Sequence, residues 1–386
     1  MWSTVIKATG SHIPSRRVTN EHFVGHEFYG ENRKRLEKTT REIIKKFREI
    51  TGIRERRYVP EGTNTSDIAY EAAKAALEGR DAETLDYIIV AHNLGDLECH
   101  GAPSDMIPTL AARVKRKLGI RNPYTVAFDL PFGCPGWLQG VIMAHNCIRA
   151  GDAKRALVIG AETLSRLTDP HDMDTMIYAD GAGATLLERS DAGAGILSHV
   201  SRSDTLEHAE LFRLGPSYSP SRNGRNLLLK MNGHDIYRYA VSTVPLTVKE
   251  ALDKAGLTLT DVKKVLIHQA NEKMDQAILK RLFKLYGIRD IPEYIMPMTI
   301  SWLGNSSVAT LPTLLDLVQR GRLDDHRLKS GDVAVFASVG AGMNINTMVY
   351  RIEIRLKILI YRLANRLSRP HVPVPRPGLA RFSAPC

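Results

Sequence analysis

A chain of 386 residues, 43% hydrophobic and 25% charged, is ordinary globular material, long enough for one large or two medium domains. No apolar run has the length to cross a bilayer, and the opening MWSTVIKATG has no signal-peptide apolar region, so a cytoplasmic protein is expected. The net charge of +11 is uneven: seven basic and no acidic residues from Arg355 onward leave +4 for residues 1–354, and without basic–aromatic interleaving this does not argue for nucleic acid.

In chain order, YGENRKRLEKTTREIIKKFREI (29–50) comes first, with eight basic and four acidic residues at helix-like spacing. It reads as a solvated helix, or more sharply as a mobile cap or a docking surface. SDIAYEAAKAALEG (66–79) reads as an amphipathic helix and LDYIIVAHN (85–93) as a buried strand. The apolar VAFDLPF (126–132) leads through Gly133 and Cys134 into Pro135, Gly136 and a helical run. ALVIGAE (156–162) is a buried strand and VPLTVKEALDKAG (244–256) a helix. LIHQAN (266–271) puts His268 at a strand end, SWLGNSSVATLP (301–312) puts Asn305 at a helix start, and SVGAGMN (338–344) is a tight glycine turn. IRLKILIYRLANRLSR (354–369) reads as a dispensable extension or, more sharply, as a basic amphipathic helix able to lie on an anionic membrane, and HVPVPRPGLARFSAPC (371–386) as disordered. Alternating strands and helices argue α/β.

The chain is also written twice. AAKAALEGRDAETLDYIIVAHN resembles VKEALDKAGLTLTDVKKVLIHQAN, each a helix, a polar turn and a strand ending in His. Phe132-Gly133-Cys134 resembles Leu303-Gly304-Asn305, and Gly160-Ala161 resembles Gly340-Ala341. Two halves packed about a pseudo-two-fold axis bring equivalent points together, so Cys134, Asn305 and His268 are expected to converge on one cleft.

The four cysteines have neither CxxC nor zinc-ligand spacing. A thiol at a helix N-terminus has its thiolate favoured by the macrodipole, and Pro135 suits the first helical turn. Gly133 and Gly136 remove bulk where a carbonyl must approach, which makes Cys134 a candidate acyl acceptor. A neutral His268 and the Asn305 amide can hold an enolate oxygen. The backbone N–H groups of Cys134, Gly340 and Ala341 can form an oxyanion hole. Taken singly, His268 is a structural histidine, Asn305 a helix cap and the glycine turn a bend; the case rests on the constellation. No complete GxGxxG follows an early strand, so no dinucleotide cofactor is expected.

With TGIRERR (51–57), the Cys134 elbow, YADGAGA (178–184), IHQAN (267–271), GNSSVATLP (304–312) and SVGAG (338–342), the sequence resembles the thiolase superfamily, and within it the 3-oxoacyl-(acyl-carrier-protein) synthase III branch, over residues 1 to 352. The resemblance implies a five-layered αβαβα fold, with an N-terminal half at 1–190, a C-terminal half at 191–354 and a peripheral basic tail at 355–386. It implies a homodimer without metal or organic cofactor. It implies Cys134 as acyl acceptor, with His268 and Asn305 promoting decarboxylation of a malonyl thioester on acyl-carrier protein and stabilising the carbanion. Lys273 matches a basic position near the pantetheine tunnel, or is a solvated lysine. Ile107 matches a position that enters the partner's acyl tunnel, or is interface packing; as isoleucine it implies tolerance beyond an acetyl group. His92, the repeat partner of His268, reads as structural.

The chain departs from the family pattern at three places. Pro135 and Trp137 replace small residues after the cysteine. Lys46 and Phe47 stand where a Trp usually stacks on the adenine of coenzyme A, and DPHD (169–172) is followed by Met173 instead of Arg. Acyl delivery on a carrier protein is therefore expected over acyl-coenzyme A. Head-to-head acyl condensation or aromatic-ring formation on the same scaffold is the alternative within catalysis. A protein that binds or transfers acyl chains without condensing them is the alternative outside it.

Overall fold

The computed structural model describes residues 2–353 apart from 192 and 223–226; the basic tail, and with it the readings of a peripheral extension or a membrane-surface helix, lies outside the described residues. In chain order the elements are β1 (Ser3–His12), β2 (Arg16–Thr19), α1 (Thr40–Thr51), β3 (Glu55–Tyr58), α2 (Thr65–Ala76), β4 (Tyr87–His92), α3 (Leu110–Lys117), β5 (Val126–Pro131), α4 (Gly136–Ala150), β6 (Arg155–Thr163) and β7 (Asp180–Ser190). There follow β8 (Gly195–Ser203), α5 (Thr205–His208), β9 (Phe212–Gly215), β10 (Leu228–Met231), α6 (Gly233–Lys254), β11 (Val262–Ile267), α7 (Glu272–Leu285), α8 (Ile300–Leu303), α9 (Thr310–Gln319), β12 (Val333–Gly340) and β13 (Asn344–Arg351).

Two sheets carry the repeat. The first runs β1-β7-β6-β4-β5 and the second β8-β13-β12-β11. β1–β7 and β7–β6 are antiparallel and β6–β4 parallel, while β8–β13 and β13–β12 are antiparallel and β12–β11 parallel. The inner strands β4, β6 and β12 bury both faces, as their continuous apolar runs require, whereas the edge strand β5 stays partly exposed. In β4, Ile88 and Val90 face the cluster under α2 and α3, whereas Ile89 and Ala91 face the cluster around α4 and α9. In β12, Ala334 and Phe336 join that same central cluster, and Val333, Val335, Ala337 and Val339 face α6 and α7. The alternation gives five layers, αβαβα, with α4 and α9 in the middle.

The highly charged 29–50 segment is not one solvated helix. Thr39 starts α1 with a capping box to Glu42, and Ile43, Ile44 and Phe47 are buried. Residues before the cap are irregular and docked: Tyr29 N–H donates to the His171 carbonyl at 2.9 Å, and Arg33 donates to the Ser219 carbonyl at 3.1 Å. The apolar i, i+1, i+4 pattern outweighs the charge count because those three side chains fall on one helical face. The helix read at 244–256 reaches back to Gly233, with Pro245 inside it.

Candidate active site

Cys134 lies in the turn between β5 and α4, just ahead of Pro135, which caps the helix. Asn346 of β13 donates to the Pro135 carbonyl at 3.2 Å, tying this turn to the second sheet. Gly340, at the end of β12, lies against the turn; a Cβ there would fall 2.7 Å from the Cys134 nitrogen and 2.8 Å from its Cβ. The Ala341 nitrogen would lie 3.1 Å from a Cβ at Gly133. The three groups expected to form the oxyanion hole are thus neighbours. His268 follows β11 directly, and its N–H donates to the Ala337 carbonyl of β12 at 2.9 Å, three residues before Gly340.

Asn305 is not at a helix start. It sits between α8 and a single 3-10 turn, and α9 begins only at Thr310. Its backbone is clamped by the segment before β7: its N–H donates to Ile177 at 2.9 Å and its carbonyl accepts from Ala179 at 2.8 Å. The side-chain oxygen accepts the Ser307 N–H at 2.8 Å, which leaves the NH2 end as the free donor. The Ser307 hydroxyl in turn donates to the Cys134 sulfur at 3.1 Å.

The electrostatics differ from the sequence expectation. Cys134 keeps partial solvent access in otherwise dense surroundings, and burial pushes its thiol up to about 11, against the Ser307 hydrogen bond that lowers it. Desolvation is the largest influence on the thiol, the Glu162 charge adds to it, and no cation among the described residues offsets them. His268 is buried with Nδ1 unpartnered, and burial lowers it to about 4, so it is neutral near pH 7.

His92 is fully buried; its Nδ1 accepts the Gly95 N–H at 3.0 Å and its Nε2 lies 3.2 Å from Asp129, whose oxygens also accept from the first turn of α3. Lys273 is exposed on the first turn of α7 and Ile107 is 88% exposed. Neither joins the Cys134 cluster within the chain. Phe47 is buried, Lys46 exposed, and Met173 is 45% exposed. Trp137 is buried in the central layer, its indole N–H donating to Thr185 at 3.2 Å.

Sequence reasoning missed Ser307, Asn93, Glu162 and Gln269. Gln269 accepts from the N–H groups of Thr299 and Ile300 at 2.8 and 3.0 Å and donates to the Pro297 carbonyl at 2.8 Å. It therefore fixes the loop that carries Asn305. IHQAN and GNSSVATLP contain Gln269 and Ser307, but nothing in a single sequence separates an anchor from its neighbours.

This five-layered architecture, with Cys134 in the turn after β5 joined through Ser307 to Asn305, is that of a thiolase-like fold. Residues 128–205 match the model of 3-oxoacyl-[acyl-carrier-protein (ACP)] synthase III, and residues 252–352 that of its C-terminal part. The beta-ketoacyl-[acyl-carrier-protein] synthase III of Ruegeria pomeroyi is 34% identical over 356 residues, covering 90% of this chain and 98% of the relative. That of Rhodospirillum rubrum is 35% identical over 360 residues, covering 91% and 100%. The 3-oxoacyl-[acyl-carrier-protein] synthase III structure from Aquifex aeolicus VF5 superposes with a TM-score of 0.73 at 28% identity, covering 90% of this chain and 99% of that one. The chain belongs to the 3-oxoacyl-(acyl-carrier-protein) synthase III family.

Proposed function

We propose that this enzyme joins an acyl group to two carbons from malonyl-carrier protein. The Cys134 sulfur attacks an acyl thioester, and the carrier thiol leaves with the proton, exchanging one thioester for another. Malonyl-carrier protein then loses carbon dioxide. The enolate oxygen rests on neutral His268 and the NH2 of Asn305. The enolate carbon attacks the Cys134 thioester, whose carbonyl oxygen points at the N–H groups of Cys134, Gly340 and Ala341. Sulfur departs and a 3-oxoacyl thioester is released. Departure of carbon dioxide drives carbon–carbon bond formation, and this sequence calls on no metal or organic cofactor. The observation that carries the reading is the link from the Cys134 sulfur through Ser307 to the Asn305 amide, at 3.1 and 2.8 Å.

Carrier-protein delivery suits the surface better than coenzyme A. Phe47 is turned into the core and Met173 offers no charge. A groove of about 350 Å³ on α1 is lined by Arg41, Lys45, Arg48 and Arg54, with Lys273 exposed on α7; an acidic carrier protein suits such a rim. β5 is an edge strand with Val126 49% exposed. Its unpaired edge suits a second copy in a homodimer, where Ile107 reaches the partner's acyl tunnel and admits chains longer than acetyl. The expected location is the cytoplasm.

The test is product analysis. Incubation with acyl- and malonyl-carrier protein should give a 3-oxoacyl product two carbons longer. Relocated acyl with malonyl unchanged would instead mean acyl transfer only, and a product without malonyl-derived carbon would mean head-to-head condensation. Cys134→Ala should abolish the acyl-enzyme, and His268→Ala should load normally yet fail to condense. Acylation persisting on Cys134→Ala would move the nucleophile elsewhere.

A further inference from the structure

The proposed mechanism uses His268 and Asn305 only while the enolate exists. The sulfur, however, carries negative charge twice: when it attacks the donor thioester and when it leaves the condensed product. Among the described residues one side chain is hydrogen-bonded to it, Ser307.

Three features of Ser307 need explaining together. Its hydroxyl donates to the Cys134 sulfur at 3.1 Å. It accepts from the Asn93 amide at 3.0 Å, so the hydroxyl proton is directed at the sulfur and away from Asn93. Its backbone has φ +50°, the left-handed region that disfavours a residue with a side chain. That conformation lets its N–H meet Asn305 while its hydroxyl meets Cys134.

The anchor behind it is equally determined. Asn93 uses its backbone N–H, at 2.9 Å, and its side-chain NH2 on one oxygen of Glu162. This fixes which way the amide points. Glu162 is fully buried, its other oxygen unpartnered, and burial pushes its carboxyl up to about 7. A chain Glu162–Asn93–Ser307, buried at both ends and half-buried at Asn93, thus ends on the nucleophile, and none of its members has a task in the mechanism above.

We propose that Ser307, anchored by Asn93 and Glu162, positions the Cys134 sulfur and steadies its negative charge in both half-reactions. This rests on Cys134 being the nucleophile. A hydroxyl aimed at an anion is a charge-assisted hydrogen bond, stronger than a neutral one. Glu162 acts in the opposite sense: once ionised, its charge disfavours the thiolate. Ser307 and Glu162 therefore pull the sulfur in opposite directions, and a merely structural chain would not.

The test reads ionisation of Cys134 without any turnover. The full-length enzyme is alkylated with iodoacetamide across a pH series, and modification of the Cys134 peptide is followed by mass. Ser307→Ala should raise the pH midpoint by about one unit or more, the cost of a hydrogen bond to a charged group. Glu162→Gln, which keeps an acceptor for Asn93, should lower it. Ser307→Gly relieves the left-handed backbone and removes the hydroxyl; it should fold at least as well as Ser307→Ala and show the same rise. Midpoints that stay put, or that move the same way in the Ser307 and Glu162 variants, overturn the proposal. Because no acyl or malonyl substrate is used, that result stands apart from failure of the condensing activity itself.

Discussion

Gly340 is glycine because the Cys134 backbone occupies the place of a side chain. Its own φ of −166° is extended and open to any residue, so the constraint is contact and not conformation. Gly340→Ala should force β12 away from the Cys134 turn and slow acyl loading at least tenfold, read by the rate of acyl-enzyme formation in the intact-mass spectrum. Asp275 poses the opposite problem. It is fully buried in α7, neither carboxyl oxygen has a partner, and burial holds it well above the ordinary carboxylate range. A carboxyl raised by folding contributes stability below its unfolded value, and that contribution is lost as pH rises toward the raised one. Asp275→Asn does not titrate, so its stability gain over the parent should be small at pH 5 and larger at pH 8, measured by thermal melts. Equal shifts at both values would mean that Asp275 is not held protonated.

Among the elements, the segment between α7 and α9 carries Asn305, so under the proposed mechanism it is expected to govern condensation and not loading. Gln269 is its clamp, holding the residues from Pro297 to Ile300 with three backbone contacts. Gln269→Ala should leave acyl loading within about twofold and cut condensation by tenfold or more, since three buried backbone groups lose their partner and Asn305 is freed to drift. Rapid-quench separation of the two half-reactions checks this. Helix α1 shows how two elements meet. Gly52 ends it in the left-handed conformation at φ +73°, and a Cβ there would collide with Glu272 at the start of α7. The Thr39 capping box at its other end is worth about 1 kcal/mol, so Thr39→Ala should lower stability by that amount without touching the chemistry.

For the whole molecule, the open question is the edge of the first sheet. β5 pairs with β4 on one side only, and the apolar residues around it are exposed at Tyr124, Val126 and Ile107. If a second copy covers this edge, Val126→Lys should place a charge inside the interface and yield monomer in light scattering after gel filtration, where the parent elutes as a dimer. A monomeric parent would remove Ile107 from the acyl tunnel. Two buried histidines, His145 and His268, are expected to weaken the fold in acid. His145 and His268 are both lowered to about 4 by burial, so each contributes stability above about pH 6.5 that is lost as pH falls toward 4.

The α/β class and the internal repeat were legible in the sequence because strand and helix periodicity are local, the five-layered αβαβα arrangement came from the family resemblance, and the repeat made Cys134, His268 and Asn305 candidates by setting His268 and Asn305 opposite His92 and Cys134. Local signals also misled. Helix-terminus chemistry predicted a lowered Cys134 thiol, whereas the packing around it raises the thiol, and charge counting predicted a solvated helix over 29–50, where only the part from Thr40 is helical and its apolar face is buried. Ser307, Asn93, Glu162 and Gln269 were invisible for one physical reason. Each acts through a partner tens to hundreds of positions away, and a hydrogen-bonded group is chemically the same residue type as an idle one. Sequence determines which side chains are present and how each segment repeats; only the folded chain decides which buried polar groups face one another, and so which of them governs the sulfur.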